Sequence, residues 1–217
     1  MTVAVIGGTG KEGSGLALRW ANTGYRVLIG SRDPERARQK ADELNGVLGN
    51  TVIQGMSNVD AAAGADVVVL SVPYSAHHEI LESIKTVVQG KILVDVTVPL
   101  LPPAVRTVYI PEGKAAALEA QELLGDDVRV VAAFQNVGAA HLKDLKLGVN
   151  CDVLVCGDDE EAKQEVFLLV DAIEGMRAID AGPLANAVAV EALTPVLLHI
   201  NRRYGVAGAG IRITGLE

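Results

Sequence analysis

Short apolar runs alternate with segments of helical spacing along the first half of this chain. Residues 2–6 (TVAVI) form one such run. A glycine cluster follows, then SGLALRWANTG, whose apolar positions recur at helical spacing. Gly24 stands where a helix C′ glycine belongs. RVLIG, at 26–30, reads as the next strand. DPERARQKADELN reads as a charged helix, with Asp33 at its N-cap and Pro34 at its first position. DVVVLSV (66–72) and KILVDV (91–96) are unbroken apolar strands, as expected of a parallel sheet covered on both faces. SAHHEILESIKTVVQ, between them, has helical periodicity. About the first 95 residues thus predict β-α-β-α-β-α-β-α-β. That alternation implies an α/β fold, a doubly wound parallel sheet with right-handed crossovers.

The pattern then loosens. Residues 99–111 (PLLPPAVRTVYIP) hold four of the eight prolines and read as an irregular excursion. A helix at about 113–124 and a strand at 128–134 follow. After a loop come strand CDVLVCG, helix DEEAKQEVFLLVDAI, strand RAIDAG, an apolar helix at about 184–203 and a short tail. No composition shift marks a domain boundary. We expect a dinucleotide-binding portion over 1–134 and a small C-terminal α/β portion over 135–217, together one unit flanking a cleft.

Composition refines this. Hydrophobic residues are 49% of the 217 but aromatics only 3%, so the core is aliphatic and alanine-rich. A net charge of −8 argues against a nucleic-acid partner bound through a basic face. No stretch approaches the ~20 apolar residues of a membrane span, and no basic leader with a cleavage site is visible. A cytoplasmic protein without a membrane partner is expected. Cys151 and Cys156 are five residues apart in a strand, which puts them on opposite faces as small buried hydrophobes. No metal site is expected.

The chemistry begins at VAVIGGTGKEG. Gly8-x-Gly10-x-x-Gly13 directly follows a strand and opens a helix, the context a Rossmann dinucleotide turn requires. Gly8 allows the tight turn, Gly10 lets the backbone approach a pyrophosphate, and Gly13 lets helix and strand pack closely. Thr9 and Lys11 can add side-chain contacts. The second strand then ends in Ser31-Arg32, where NAD-binding proteins place an acid on the ribose 2′-hydroxyl. A hydroxyl and a guanidinium suit a 2′-phosphate instead, and Arg36, one turn later, adds charge. The cofactor read from these residues is NADP(H).

Ligands of such sheets lie beyond the carboxyl ends of the strands. Ser71, Val72 and Pro73 should border the nicotinamide, with Thr97, Val98 and Pro99 beside them. No acid–base pair stands out. His77 and His78 read as surface or capping residues, His199 as a packed core histidine, and no Tyr-x-x-x-Lys pair is present. His141 and Tyr74 are poor candidates as proton donors. Carbonyl or imine reduction needs a proton donor near the substrate. Hydride transfer between two redox cofactors needs mainly alignment and exclusion of water. The lack of an acid–base pair leans toward the latter, with no catalytic side chain expected.

Seven segments carry a resemblance over almost the whole length. They include GGTGKEGSGLALRWA, IGSRDPERA, VRVVAAFQNVGAAHL and DAGPLANAVAVEALTP. The chain resembles the NADPH-dependent reductases of coenzyme F420, a 5-deazaflavin. The resemblance implies a compact homodimer with NADP on the Rossmann half. The deazaflavin would stack over the nicotinamide, with direct, reversible hydride transfer between the rings. It assigns Thr9, Ser31 and Arg32 to NADP, Pro73 and Ala139 to the nicotinamide, and Gln135, Asn136 and Val137 to the deazaflavin side. Some archaeal members carry a His-Thr-Ile-Pro run where this chain reads Gln135-Asn136-Val137-Gly138, which leaves pH dependence and preferred direction open. The alternatives are an NADP-dependent reductase of a small imine, ketone or ferric complex on the same fold, and a dinucleotide sensor without turnover.

Overall fold

The computed structural model describes residues 1–216. The β/α alternation read from the apolar runs is present: β1 (Thr2–Ile6), α1 (Lys11–Asn22), β2 (Arg26–Ser31), α2 (Pro34–Leu48), β3 (Ile53–Ser57), α3 (Asn58–Ala63), β4 (Val67–Leu70), α4 (Tyr74–Ile84) and β5 (Ile92–Asp95). Then come α5 (Ala116–Leu124), β6 (Arg129–Ala132), α6 (Ala139–Leu142), β7 (Cys151–Gly157), α7 (Glu160–Asp171), β8 (Met176–Asp180), a 3-10 turn at Leu184–Asn186 and α8 (Ala187–Tyr204). One sheet runs β3-β2-β1-β4-β5-β6-β7-β8.

The sheet is parallel except at one place. β6 and β7 pair antiparallel, Val131 opposite Gly157 and Ala132 opposite Cys156. A parallel return would need a crossover element packed on the sheet. Here the connection carries only the four-residue α6, because residues 134–140 line the cleft instead of crossing. Apolar runs carry no mark of strand direction, so the reversal departs from the parallel sheet expected.

Two apolar layers enclose the sheet. One lies under α1, α2 and α7 and contains Trp20 edge-on to Phe134, centroids 5.7 Å apart. The other lies under α3, α4, α5 and the start of α8. Cys151 belongs to the first layer and Cys156 to the second, so the two thiols do occupy opposite faces, both free and buried. Arg19, buried in α1, donates to the carbonyls of Leu142 (2.9 Å), His141 (2.8 Å), Asp144 (2.6 Å) and Leu147 (2.8 Å). This one guanidinium fixes the irregular chain that follows the cleft. The tail is fixed likewise. Buried Asp152 accepts from Arg177 Nη2 (2.7 Å), Arg212 Nη1 (2.6 Å) and the Ile213 amide (2.7 Å). The Arg177 bond, the other donors adding, holds its carboxyl well below the usual carboxylate range despite its burial.

Two expectations need correction. Leu184–Tyr204 has a mean hydropathy of 1.3 over its best window and is long and apolar enough, by length and composition alone, to cross a membrane, with 33% of that window buried. Its Glu191 is buried and accepts hydrogen bonds from the Ala116 and Ala117 amides of α5, a contact of a helix packed on protein. And His199, read as a core residue, is exposed, because Val196 and His199 fall on the outer face of α8 while Pro195 and Leu197 face in.

Candidate active site

The glycine turn sits between β1 and α1. Its left-handed residue is Gly7, at φ +76°, and not Gly8 as the motif suggested. Gly8 and Gly13 serve close packing. A Cβ on Gly8 would lie 2.8 Å from the Val5 carbonyl, and one on Gly13 would lie 3.0 Å from the Gly8 Cα. A Cβ on Gly10 would meet nothing closer than the Gly7 carbonyl at 3.4 Å, so the open side of the turn is at Gly10. Gly10 is the N-cap of α1 and no side chain caps this end. Its first amides are therefore available to an anion, and the turn fits a pyrophosphate. Thr9, half-buried, completes the turn.

At the end of β2, Ser31 is buried and its Oγ accepts from the Asp33 amide at 3.2 Å. Asp33 caps α2, accepting from Glu35 N (3.0 Å) and Arg36 N (3.3 Å), so its carboxylate is turned into the helix. Arg38 pairs with Glu35 at 3.0 Å, and Lys40 with Glu43. Arg32 and Arg36 are exposed and form no ion pair among the described residues. Two unpaired guanidinium groups beside a hydroxyl match a phosphate on the ribose.

Between these strand ends and α8 opens a cleft of about 850 Å³. Gly10 and Lys11 line it from the glycine turn, Ser71, Val72 and Pro73 from beyond β4, and Thr97 and Val98 from beyond β5. Gln135, Asn136, Val137 and Ala139 line it from beyond β6. These eleven residues, all singled out in the sequence, thus meet in one cavity. Gly8, Thr9 and Gly13 form the turn at its edge, and Ser31, Arg32 and Arg36 lie outside it at the end of β2. Asn136 is committed to the scaffold: its Nδ2 donates to the Asp152 carbonyl at 2.7 Å, tying the cleft to β7. Before it stands Phe134 at φ +73°, a left-handed conformation rare for a bulky residue, buried against Trp20. Strain of this kind collects at functional sites.

Several residues went unnoticed in the sequence. His77, read as superficial, is 2% exposed, and its Nε2 lies 2.7 Å from Asp95 Oδ2. The helix pattern contained the signal: His77, Ile80, Leu81 and Ile84 share one buried face of α4. Burial opposes the charged imidazole, but the charge and hydrogen bond of Asp95 leave its pKa raised. Glu12, in the first turn of α1, lines the cleft with an Oε1 shut off from solvent and without a partner, and burial pushes its carboxyl up to about 8. Burial likewise pushes Glu191 up to about 8. Thr194 Oγ1 donates to the Gln135 carbonyl at 2.6 Å, fastening α8 to the cleft. The two weak proton-donor candidates are engaged elsewhere. The Tyr74 hydroxyl bonds to Glu119 at 3.0 Å, and His141 Nε2 to the Gly208 carbonyl at 3.0 Å.

Known proteins of this kind can now be set beside the geometry. Residues 2–99 match the family described as NADP oxidoreductase coenzyme F420-dependent. The whole chain is 45% identical to the F420-dependent NADP reductase of Methanothermobacter thermautotrophicus, covering 96% of it. It is 43% identical to the enzyme of the same name from Methanocaldococcus jannaschii, covering 100% of it. A crystal structure from Arthrobacter sp. FB24, assigned provisionally as an F420-dependent NADP reductase, superposes with a TM-score of 0.82 at 28% identity, covering 99% of both chains. Identity at this level over both full lengths, on this fold and around this cleft, shows that the chain belongs to the F420-dependent NADP reductase family.

Proposed function

We propose that this protein transfers a hydride directly and reversibly between NADP(H) and coenzyme F420. The observation that carries the reading is the make-up of the cleft. Its titratable lining groups, Lys11 and Glu12, sit in the glycine turn, and the Tyr74 hydroxyl is held by Glu119. Elsewhere small apolar side chains such as Val72, Pro73, Val98 and Val137 form the walls. Such a cavity aligns two flat rings and excludes water, which is what hydride passage between cofactors requires. Reduction of a small imine, ketone or ferric complex would need a proton donor, a metal or a flavin site among those apolar walls, whereas the cleft's carboxyl, Glu12, lies in the first turn of α1 beside the glycine turn.

In this reading the 1–134 portion holds the dinucleotide and the 135–217 portion closes the deazaflavin side. Gly8, Thr9, Gly10, Lys11 and Gly13 hold the pyrophosphate, and Ser31, Arg32 and Arg36 the 2′-phosphate. Ser71, Val72, Pro73 and Ala139 border the nicotinamide, and Gln135, Asn136 and Val137 the deazaflavin. The bound pair supplies the redox chemistry. The chain supplies orientation and dryness. Homodimerisation through α8 is part of the proposal, supported by the hydrophobic side chains exposed at Val196, at Tyr204 and, just past the helix, at Val206. The free thiols fit a reducing cytoplasm.

The test is to mix the protein with NADPH and oxidised F420 and follow the visible absorbance of the deazaflavin, with NADH as control. Bleaching with NADPH and little with NADH supports the assignment. Persistent colour while NADPH binds would refute it.

A further inference from the structure

Besides Glu12 Oε1, two buried polar atoms in the cleft wall lack partners among the described residues, Thr97 Oγ1 and Gln135 Oε1. Buried polar atoms are normally bonded, so an unsatisfied pair in a binding cleft asks what completes it. Both residues are fixed by Asp95, the last residue of β5. Asp95 Oδ1 accepts the Thr97 amide at 2.9 Å, and the Asp95 carbonyl accepts Gln135 Nε2 at 2.7 Å. Asp95 Oδ2 is itself fixed by His77 at 2.7 Å.

This anchoring decides the chemistry of the free atoms. Because Gln135 donates to the Asp95 carbonyl, its unpaired end is an oxygen, which only accepts. The Thr97 hydroxyl can donate. The two do not bond each other, although they hang from the same residue. One acceptor and one donor, hung from the same residue, are the two kinds of partner that an amide edge, N–H next to C=O, takes.

We propose that Thr97 and Gln135 form an amide-reading pair, with Gln135 Oε1 accepting an N–H and Thr97 Oγ1 donating to the adjoining carbonyl of a bound ring. The proposal rests on the function proposed above. Both cofactors of that reaction carry the edge, as the nicotinamide carboxamide or as the pyrimidine C=O/N–H of the deazaflavin. Reading the edge would set the in-plane rotation of that ring, which stacking leaves free.

The test uses binding by the full-length protein to analogues that lack the N–H. These are the 3-acetylpyridine analogue of NADPH and an N3-methylated deazaflavin, each measured against its parent by titration. The wild type is expected to disfavour one of the two by about 3- to 10-fold, the scale of one lost neutral hydrogen bond. Gln135→Met should abolish that ratio, whereas Thr97→Val should weaken parent and analogue alike by a similar factor and Thr97→Ser should leave both near the wild type. Discrimination against the acetylpyridine compound assigns the pair to the nicotinamide, and against the methylated compound to the deazaflavin. Wild-type binding that ignores both changes, a ratio unaltered in Gln135→Met, or Thr97→Val binding every compound as the wild type does would overturn the proposal. Because the readout is binding of each compound alone, it stays separate from turnover. A protein that discriminates yet never passes hydride would count against the proposed function and not against the pair.

Discussion

His77 Nε2 and Asp95 Oδ2 lie 2.7 Å apart, both side chains shut off from solvent, at the point where α4 meets the end of β5. The pair supports the cleft from behind, since Asp95 also holds Thr97 and Gln135. The raised His77 pKa gives the sign of its pH dependence. The imidazolium–carboxylate contribution is fully present below the ordinary histidine value of 6.5 and is lost as pH rises through the raised folded value. His77→Gln should therefore destabilise the protein by about 1–3 kcal/mol at pH 6 and by clearly less at pH 10. Denaturant unfolding at the two pH values checks this, and an equal loss at both would contradict it.

Arg32, just past β2, and Arg36, in the first turn of α2, face solvent without an ion pair among the described residues. Arg32→Ala should weaken NADPH by roughly 10- to 100-fold, the scale of a charge-assisted hydrogen bond, and NADH by less than about 2-fold. Parallel titrations measure the ratio. Equal weakening of both would remove Arg32 from the 2′-phosphate site.

Glu12 gives a pH dependence of the same sign as His77 from a different cause, burial of an unpartnered carboxyl. Its folded pKa of about 8 stands above the ordinary 4.5, so the unfolded chain ionises first. The native state then loses stability as pH rises from about 4.5 to about 8. Glu12→Gln removes that loss. The variant should melt a few degrees above the wild type at pH 9, with the gap closing near pH 4, as seen by calorimetry. No gap at pH 9 would mean that the carboxylate finds solvent or a cation on ionising.

The outer face of α8 exposes Val196 and, just past the helix, Val206, with Tyr204 74% exposed at its end. Sedimentation of the wild type should give a dimer, and Val196→Asp should shift it toward monomer. A monomer at all concentrations would refute the dimer.

β1, β2, β4 and β5, with α1, α2 and α4, were legible because each buried parallel strand is a continuous apolar run and each of these helices has its own periodicity, whereas β3 (IQGMS), a half-buried edge strand, and the short α3 were implied only by the alternation. The SerArg end of β2 was legible because it departs from an acidic norm. The β6–β7 reversal was not, since apolar strands carry no mark of direction. His77 was hidden by its exposed neighbour His78, although its spacing to Ile80, Leu81 and Ile84 placed it on the apolar face. Gly7 was overlooked because the motif names Gly8, yet only backbone dihedrals tell which glycine of a GG pair turns left-handed. Thr97 and Gln135 became visible only once Asp95 brought the ends of β5 and β6 together.

The central claim is that the hydride passes straight from one ring to the other. NADPH deuterated at either prochiral position of nicotinamide C4 would be reacted with oxidised F420 in ordinary water, and the reduced deazaflavin analysed by mass spectrometry. Direct transfer predicts one deuterium on the deazaflavin C5 from one of the two labelled forms and none from the other. Reduced deazaflavin free of label from both forms would contradict the account, because its hydrogen would then have come from solvent.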